Sequence, residues 1–317
     1  MWAELDKYAH VSFLKQDILD IGEDALGPYV HTIEGRHRGD YVLNSVAPGK
    51  PQPSKWPTYR LWQHFVGWWI EADQDIFDPQ DARLMDFGVK QHGDSRFMYV
   101  LPYSSRKALV EFTVFSEHLL STDDYQQEIK QYLKTHFPDV AYTVVEEEQG
   151  KIPMTNQKVG RYEYPHVLNI GTIGGAVKPT TGYAFLRIHA QAKQIVQALL
   201  QAKRAVDIQL PPTRFAFYDR LLLHILTYRG ERGADIFSAL FRSNPMRRIL
   251  TFLNEQSTIG QEVRIFSGLP YGPFLRALGA QLAYRVRQSV HRFPRPRITT
   301  SSPALESEHQ IIQQELQ

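Results

Sequence analysis

The stretch Ile170-Gly171-Thr172-Ile173-Gly174-Gly175-Ala176-Val177-Lys178-Pro179-Thr180-Thr181-Gly182-Tyr183-Ala184-Phe185 holds the residues best suited to chemistry in this chain of 317 residues. Gly171, Gly174, Gly175 and Gly182 leave the backbone bare, so amide N–H groups can approach an anionic or carbonyl group closely. A helical pattern beginning near Thr181 adds partial positive charge at its N-terminus. The chemistry is capture of a phosphate-bearing or carbonyl-bearing ligand; the plain alternative is a tight turn between a strand and a helix. Other reactive sets are missing from the sequence. It has no cysteine, which removes disulfides, thiolate metal sites and a cysteine nucleophile and permits an intracellular compartment. The 12 histidines form no His-x-x-x-His or His-Glu-x-x-His pair, so no metal site is expected, and no Gly-x-Ser-x-Gly elbow offers a hydrolase serine.

Flanking elements must hold that turn. Val167-Leu168-Asn169-Ile170 is a short apolar strand running straight into Gly171. From Thr181 to about Ala205 the apolar residues Phe185, Ile188, Ile195, Val196, Leu199 and Leu200 recur at helical spacing. Strand, glycine-rich turn and helix in that order make half of a dinucleotide-type phosphate cradle. The other half is absent from the sequence, because Gly-x-Gly-x-x-Gly occurs nowhere in it, and the expectation is that the chain begins after that unit.

Earlier in the chain, Tyr29–Ile33 and Asp40–Leu43 read as short strands, and a break at Pro48, Pro51, Pro53 and Pro57 follows. Phe65–Glu71, Arg96–Pro102 and Leu109–Phe115 read as strands of an antiparallel sheet with one strongly apolar face. Asp123–His136 reads as a helix with Thr122 at its N-cap, and Tyr142–Glu146 as a further strand. From Phe217 to about Arg292 come several short helices, then a polar tail from about Ile298.

With 43% hydrophobic and 22% charged residues the chain is globular, of roughly two domains. The net charge of +2 hides an asymmetry: from Lys203 to Arg297 there are 16 basic and 6 acidic residues, a balance of +10 against −8 elsewhere. Apolar residues interleave with these arginines and no nucleic-acid motif is present, so a peripheral membrane surface is expected and nucleic acid is not. No apolar run is long enough to span a bilayer.

The ending Pro179-Thr180-Thr181-Gly182-Tyr183 resembles the second flavin-contacting motif of the lycopene cyclase family. That family belongs to a flavoprotein superfamily that also contains aromatic hydroxylases and geranylgeranyl reductases. Thr172 stands where the superfamily usually has Asp. Trp62-Gln63-His64-Phe65-Val66-Gly67-Trp68-Trp69-Ile70-Glu71 is similar to the family's Gln-x-Phe-x-Gly-x-x-x-Glu strand, followed by Leu84-Met85-Asp86-Phe87. Phe97-x-Tyr99-x-Leu101-Pro102-Tyr103 resembles the paired strand, Leu109-Val110-Glu111-Phe112-Thr113 the Glu-x-Thr segment, and Ile152-Pro153-Met154 the Ile-Pro-Met motif. Looser likeness continues in Phe217-Tyr218-Asp219-Arg220 and Leu269–Leu275.

The resemblance implies an α/β (α+β) flavoprotein fold of the FAD-dependent hydroxylase and reductase kind. It would comprise a remnant of the FAD-binding domain over 1–55, a substrate-binding sheet over 56–160, a return to the FAD-binding domain over 161–210, a helical region over 211–297 and the tail over 298–317. It implies cyclisation of the acyclic ends of lycopene to β-rings, dependent on reduced FAD with NADPH as reductant, by a cytoplasmic protein lying on a membrane. Glu111 would be the acid, or a carboxylate that orients and stabilises beside the flavin; in an apolar strand its pKa should rise. Gly171, Gly174, Gly175, Pro179, Thr180, Thr181 and Gly182 would hold the cofactor. Trp62, Phe65, Trp68, Phe97, Tyr99 and Phe112, with Trp69, would line an apolar tunnel in which aromatic faces favour a passing cation. Glu71 and Asp86 are candidate second carboxylates or simply structural acids. The alternatives are a related reductase or hydroxylase of an isoprenoid lipid, or a truncated, non-catalytic isoprenoid-binding protein that holds flavin poorly.

Overall fold

The computed structural model describes residues 2–46, 51–201 and 213–291. Pro48, the expected helix end near Ala205 and the polar tail lie outside them. After a single turn, α1 (Trp2–Leu5), the chain forms an antiparallel three-stranded meander of β1 (Ile18–Asp24), β2 (Gly27–Thr32) and β3 (Gly35–Arg38). β4 (Val42–Asn44) then joins a second sheet, described below.

The main sheet has five strands: β5 (Arg60–Ala72), β6 (Arg83–Asp86), β7 (Ser95–Pro102), β8 (Lys107–Ser116) and β9 (Tyr142–Thr155). Their order is β6-β7-β8-β5-β9, and every neighbouring pair is antiparallel. β9 runs well past the expected Glu146, through Gly150 and Pro153. It is an edge strand, where a proline costs no ladder bond on its outer side. Helix α2 (Thr122–His136) is capped by Ser121 rather than Thr122, with a reciprocal pair of bonds to Asp124.

α2 covers one face of this sheet, packing Tyr125, Ile129, Tyr132 and Leu133 on Val66, Trp68, Ile70, Val110, Phe112 and Val114. The opposite face is covered at one end by the C-terminal helices α4 (Thr213–Tyr228), α5 (Arg232–Ser243), α6 (Met246–Leu253) and α7 (Ile259–Phe266). Leu223, Leu226, Phe237 and Ile249 there meet Leu61, Phe97, Phe115 and Met154. β8 is therefore buried on both faces along nearly its whole length, whereas the sequence reading allowed only one apolar face. α8 (Tyr271–His291) closes the bundle against α4.

Following β9 in the chain, β10 (Tyr162–Tyr164) and β11 (Val167–Asn169) pair antiparallel, and β11 pairs in parallel with β4. The amide of Asn44 donates to Asn169 Oδ1 at 2.8 Å, and Ile170 N–H to the Asn44 carbonyl, which fixes where the chain leaves β11 for the turn. α3 (Phe185–Leu200) starts four residues later than the helical pattern indicates, because Gly182 has φ +68° and ends the turn in a non-helical conformation. Of its expected apolar face only Ile195 is buried; Phe185, Ile188, Val196, Leu199 and Leu200 are exposed.

Candidate active site

Glu111 lies at the middle of β8, the central strand of the main sheet, directly between Gly67 on β5 and Tyr99 on β7. Alternation along paired strands gives these residues one face, together with Gln63, Phe65 and Trp69 of β5, Phe97 of β7, and Glu148, Gly150 and Ile152 of β9. Glu111 is only 9% exposed, and its Oε1 accepts a hydrogen bond of 2.6 Å from Thr113 Oγ1. Burial, helped by the charge of Glu148, pushes its carboxyl up to about 7 against the opposing pull of the Thr113 hydrogen bond. Tyr99 is pushed up to about 12 by burial, reinforced by Glu111. A carboxyl that keeps its proton well above the usual carboxylate range, up to about neutrality, can act as an acid.

The glycine turn meets this same face. A Cβ at Gly182 would stand 2.6 Å from Gln63 Oε1 and 3.2 Å from Ile152 Cγ2, so only glycine lets the turn approach β5 and β9 this closely. At Gly174 a Cβ would lie 2.3 Å from the Asn169 carbonyl, while Gly171 and Gly175 adopt φ of +59° and +75°. Gln191 of α3 accepts from Gly171 N–H at 2.8 Å and ties the turn to the helix behind it. Two buried polar atoms beside the turn, Gln63 Oε1 and Thr181 Oγ1, have no protein partner. Unpartnered buried acceptors and hydroxyls are costly unless a ligand completes them. From Gln63 to Gly67 is about 13 Å along β5 at the usual strand rise, with the Phe65 ring leaning over Gly150 between.

Thr180 is not directed at that space: its hydroxyl donates to Asp219 Oδ1 at 2.8 Å. Lys178 donates to both Asp219 oxygens, at 2.9 and 3.1 Å, and to Glu255 at 3.2 Å, with Lys178 itself 3% exposed. Asp219 belongs to α4 and Glu255 follows α6, so this ion cluster fastens the turn to the C-terminal helices.

The sheet's alternation divides the expected tunnel residues. Phe65, Trp69, Phe97 and Tyr99 share the face of Glu111; Phe97 lies within the core formed with Phe115 and Phe237. Trp62, Trp68 and Phe112 point the other way, and the substrate role expected for them is corrected. Trp68 and Phe112 are packed under α2, with the Trp68 indole N–H donating to Glu147, and Trp62 is partly exposed beneath Lys151. Asp86 accepts from the Tyr132 hydroxyl at 2.7 Å, a structural role, and Glu71 is exposed at the strand end. Residues that the sequence reading missed are Gln63, Glu148, Lys178 and Glu255. The period-two spacing of Gln63, Phe65 and Gly67 carried a signal for Gln63; nothing local marked the others.

Among solved structures, the chain is similar to a geranylgeranyl bacteriochlorophyll reductase-like protein from Thermoplasma acidophilum, at 10% identity and TM-score 0.43 over 87% of this chain and 69% of that one. It is also similar to BrvH, a flavin-dependent halogenase from Brevundimonas sp. BAL3, at 13% identity and TM-score 0.44 over 89% and 63%. Two lycopene beta-cyclases are each 28% identical: that of Pantoea ananas over 232 residues, 69% of this chain and 59% of that protein, and that of Paracoccus sp. (strain N81106 / MBIC 01143) over 245 residues, 72% and 62%. The chain thus spans about three fifths of the length of these relatives. The family described as lycopene cyclase protein matches residues 6–279, a span that takes in the main sheet, Glu111, the glycine turn and the helices that anchor it. The chain belongs to the lycopene cyclase family.

Proposed function

We propose that the chain cyclises the acyclic ends of lycopene to β-rings without net oxidation or reduction, using Glu111 as the acid. The observation that carries this reading is a single buried, protonatable carboxyl on the face shared with the glycine turn. A polyene hydrocarbon offers nothing to hydrogen-bond, so its site needs an apolar wall, one acid and a means of stabilising a cation. Phe65, Trp69 and Tyr99 provide π-faces beside Glu111, and each such face attracts positive charge.

The turn fits a flavin. Bare backbone at Gly171, Gly174, Gly175 and Gly182 and the unpartnered Gln63 Oε1 and Thr181 Oγ1 are suited to the edge of a polar ring system. FAD in its reduced form, maintained by NADPH, would supply an electron-rich surface next to the developing cation. Gly182 and Thr181 would position it, Gln63 would accept from it, and Phe65 would separate it from the acid.

The substrate dissolves in lipid, and α8 presents a suitable surface. Tyr271, Leu275, Leu282 and Val286 are exposed and fall on one stripe of that helix by their spacing, with Arg276 and Arg287 exposed beside them. Among the described residues no helix is long and apolar enough to cross a membrane. The protein would work from the cytoplasmic surface of a membrane.

The test is incubation of the protein with lycopene in liposomes and reduced FAD. Products of unchanged mass bearing β-rings support the reading; a change of two hydrogens or of one oxygen in the product replaces it with reductase or hydroxylase chemistry.

A further inference from the structure

We propose that Glu148 is the second carboxylate of this site, sharing one proton with Glu111 across the slot above Gly67 and taking up the proton that the cyclised substrate gives back. This rests on the cyclase reading above.

The register places the three residues side by side. Gly67 is paired with Glu111 on one flank and with Glu148 on the other. A Cβ at position 67 would lie 2.9 Å from Leu109 Cδ1, 3.1 Å from Glu148 Cγ and 3.4 Å from Glu111 Cβ, so the Leu109 methyl and the Glu148 chain both lean over the glycine, beside the root of Glu111. The adjacent acids behave differently. Glu146 and Glu147 are exposed, and Glu147 binds Trp68 on the α2 side, whereas Glu148 is half-buried on the Glu111 side. Among the described residues no side chain donates a hydrogen bond to the Glu148 carboxylate. The other ionisable groups on this face are Tyr99 of β7, Lys107, which sits over Trp69, and the exposed Glu71 and Glu146 near the strand ends; α4 contributes His224, bonded to Tyr59.

Cyclisation needs two proton transfers at different carbons. The O–H bond of Glu111 breaks, and its proton joins the terminal alkene carbon through the π pair, leaving a tertiary cation. The π pair of a second double bond closes the ring and moves the charge. A neighbouring C–H bond then breaks, its electron pair becomes the ring double bond, and the proton passes to the Glu148 carboxylate. One proton enters and one leaves, with no oxidation. Its return from Glu148 to Glu111 over the slot restores the acid.

The experiment combines an infrared titration of the protonated carboxyl band with cyclisation assays on Glu148→Gln and Glu148→Asp. Glu111→Gln identifies the Glu111 band. Loss of the neighbouring charge in Glu148→Gln should move the midpoint of that band to lower pH. Cyclisation should fall by about 10²-fold or more, and Glu148→Asp should recover part of it. Glu148 sits on an edge strand at the surface, and circular dichroism confirms that each variant folds. An unmoved midpoint, or full activity in Glu148→Gln, overturns the proposal. A moved midpoint in a protein whose wild type leaves lycopene unchanged upholds the shared proton and overturns the cyclase reading instead.

Discussion

Lys178, in the glycine turn, and Asp219, on α4, form an ion pair of 2.9 Å with both side chains almost wholly out of water. Residues 41 positions apart are thereby locked together, and a second carboxylate, Glu255, completes the shell around the ammonium at 3.2 Å. Removing one member of a buried pair leaves an uncompensated charge, which costs about 3–5 kcal/mol, whereas replacing both with apolar groups is often neutral. Lys178→Met should therefore lower the unfolding free energy by about that amount, and Lys178→Met/Asp219→Leu should recover part of it, with Glu255 left to Arg187 at 3.7 Å. Denaturant titration measures both; equal loss in the single and double variants would contradict the assignment.

Glu111→Gln keeps the shape of the side chain but carries no acidic proton. Cyclisation should drop by about 10²–10⁴-fold, the usual contribution of general acid catalysis, while flavin affinity is unchanged. In the wild type, activity should decline as pH rises through about 7, where Glu111 loses its proton. Near-normal β-ring formation by the variant would remove Glu111 from this role.

The same substitution has a stability signature. The folded protein holds the Glu111 proton more tightly than the unfolded chain, since the carboxyl is raised from 4.5 to about 7. Wild-type stability is thus lost as pH climbs from the unfolded value towards the folded one. Glu111→Gln should melt higher than wild type at pH 8 and converge with it below about pH 4.5. Parallel melting curves across that range would show that Glu111 is solvated.

Gly182 has φ +68° and no room for a methyl group beside Gln63 and Ile152. Gly182→Ala should displace the turn from the sheet and weaken flavin binding at least about tenfold, on the order of 1.4 kcal/mol. Flavin fluorescence titration of variant against wild type tests this, and equal affinity would detach the turn from the cofactor.

Docking to a membrane should depend on salt. Each Lys or Arg near anionic lipid contributes on the order of 1 kcal/mol, and that attraction is screened over about a Debye length. Co-sedimentation with anionic vesicles should fall between low and high salt and fall again in Leu275→Asp. Binding indifferent to both changes would mean that the α8 stripe is merely solvated.

Most of the main sheet was legible because β5, β7 and β8 are long runs of aromatic and β-branched residues that can bury both faces. That composition also hid the orientation of the site. β8 is apolar on both sides of Glu111, so no polar and apolar contrast told which face Trp62, Trp68 and Phe112 would take, and α2 claimed theirs. The far half of β9 is masked in the sequence by Gly150 and Pro153, residues that usually break a strand. Gly150 is small because Phe65 Cζ would stand 2.6 Å from any Cβ there, a contact made across strands. The charges of Lys178 and Asp219 were visible, but their partnership exists only after the turn and the helices fold together.

The central strand carries its acid between two full hydrogen-bonded ladders, to β5 on one side and β7 on the other. A backbone gripped from both edges has no freedom to follow a moving substrate. On the cyclase reading, a polyene with two identical ends therefore meets one stationary proton source, and the molecule itself has to turn around. One-ringed product must leave the site, or reverse within the bilayer, before the second end can close, so the lifetime of that half-finished carotenoid becomes a property of the membrane as much as of the protein.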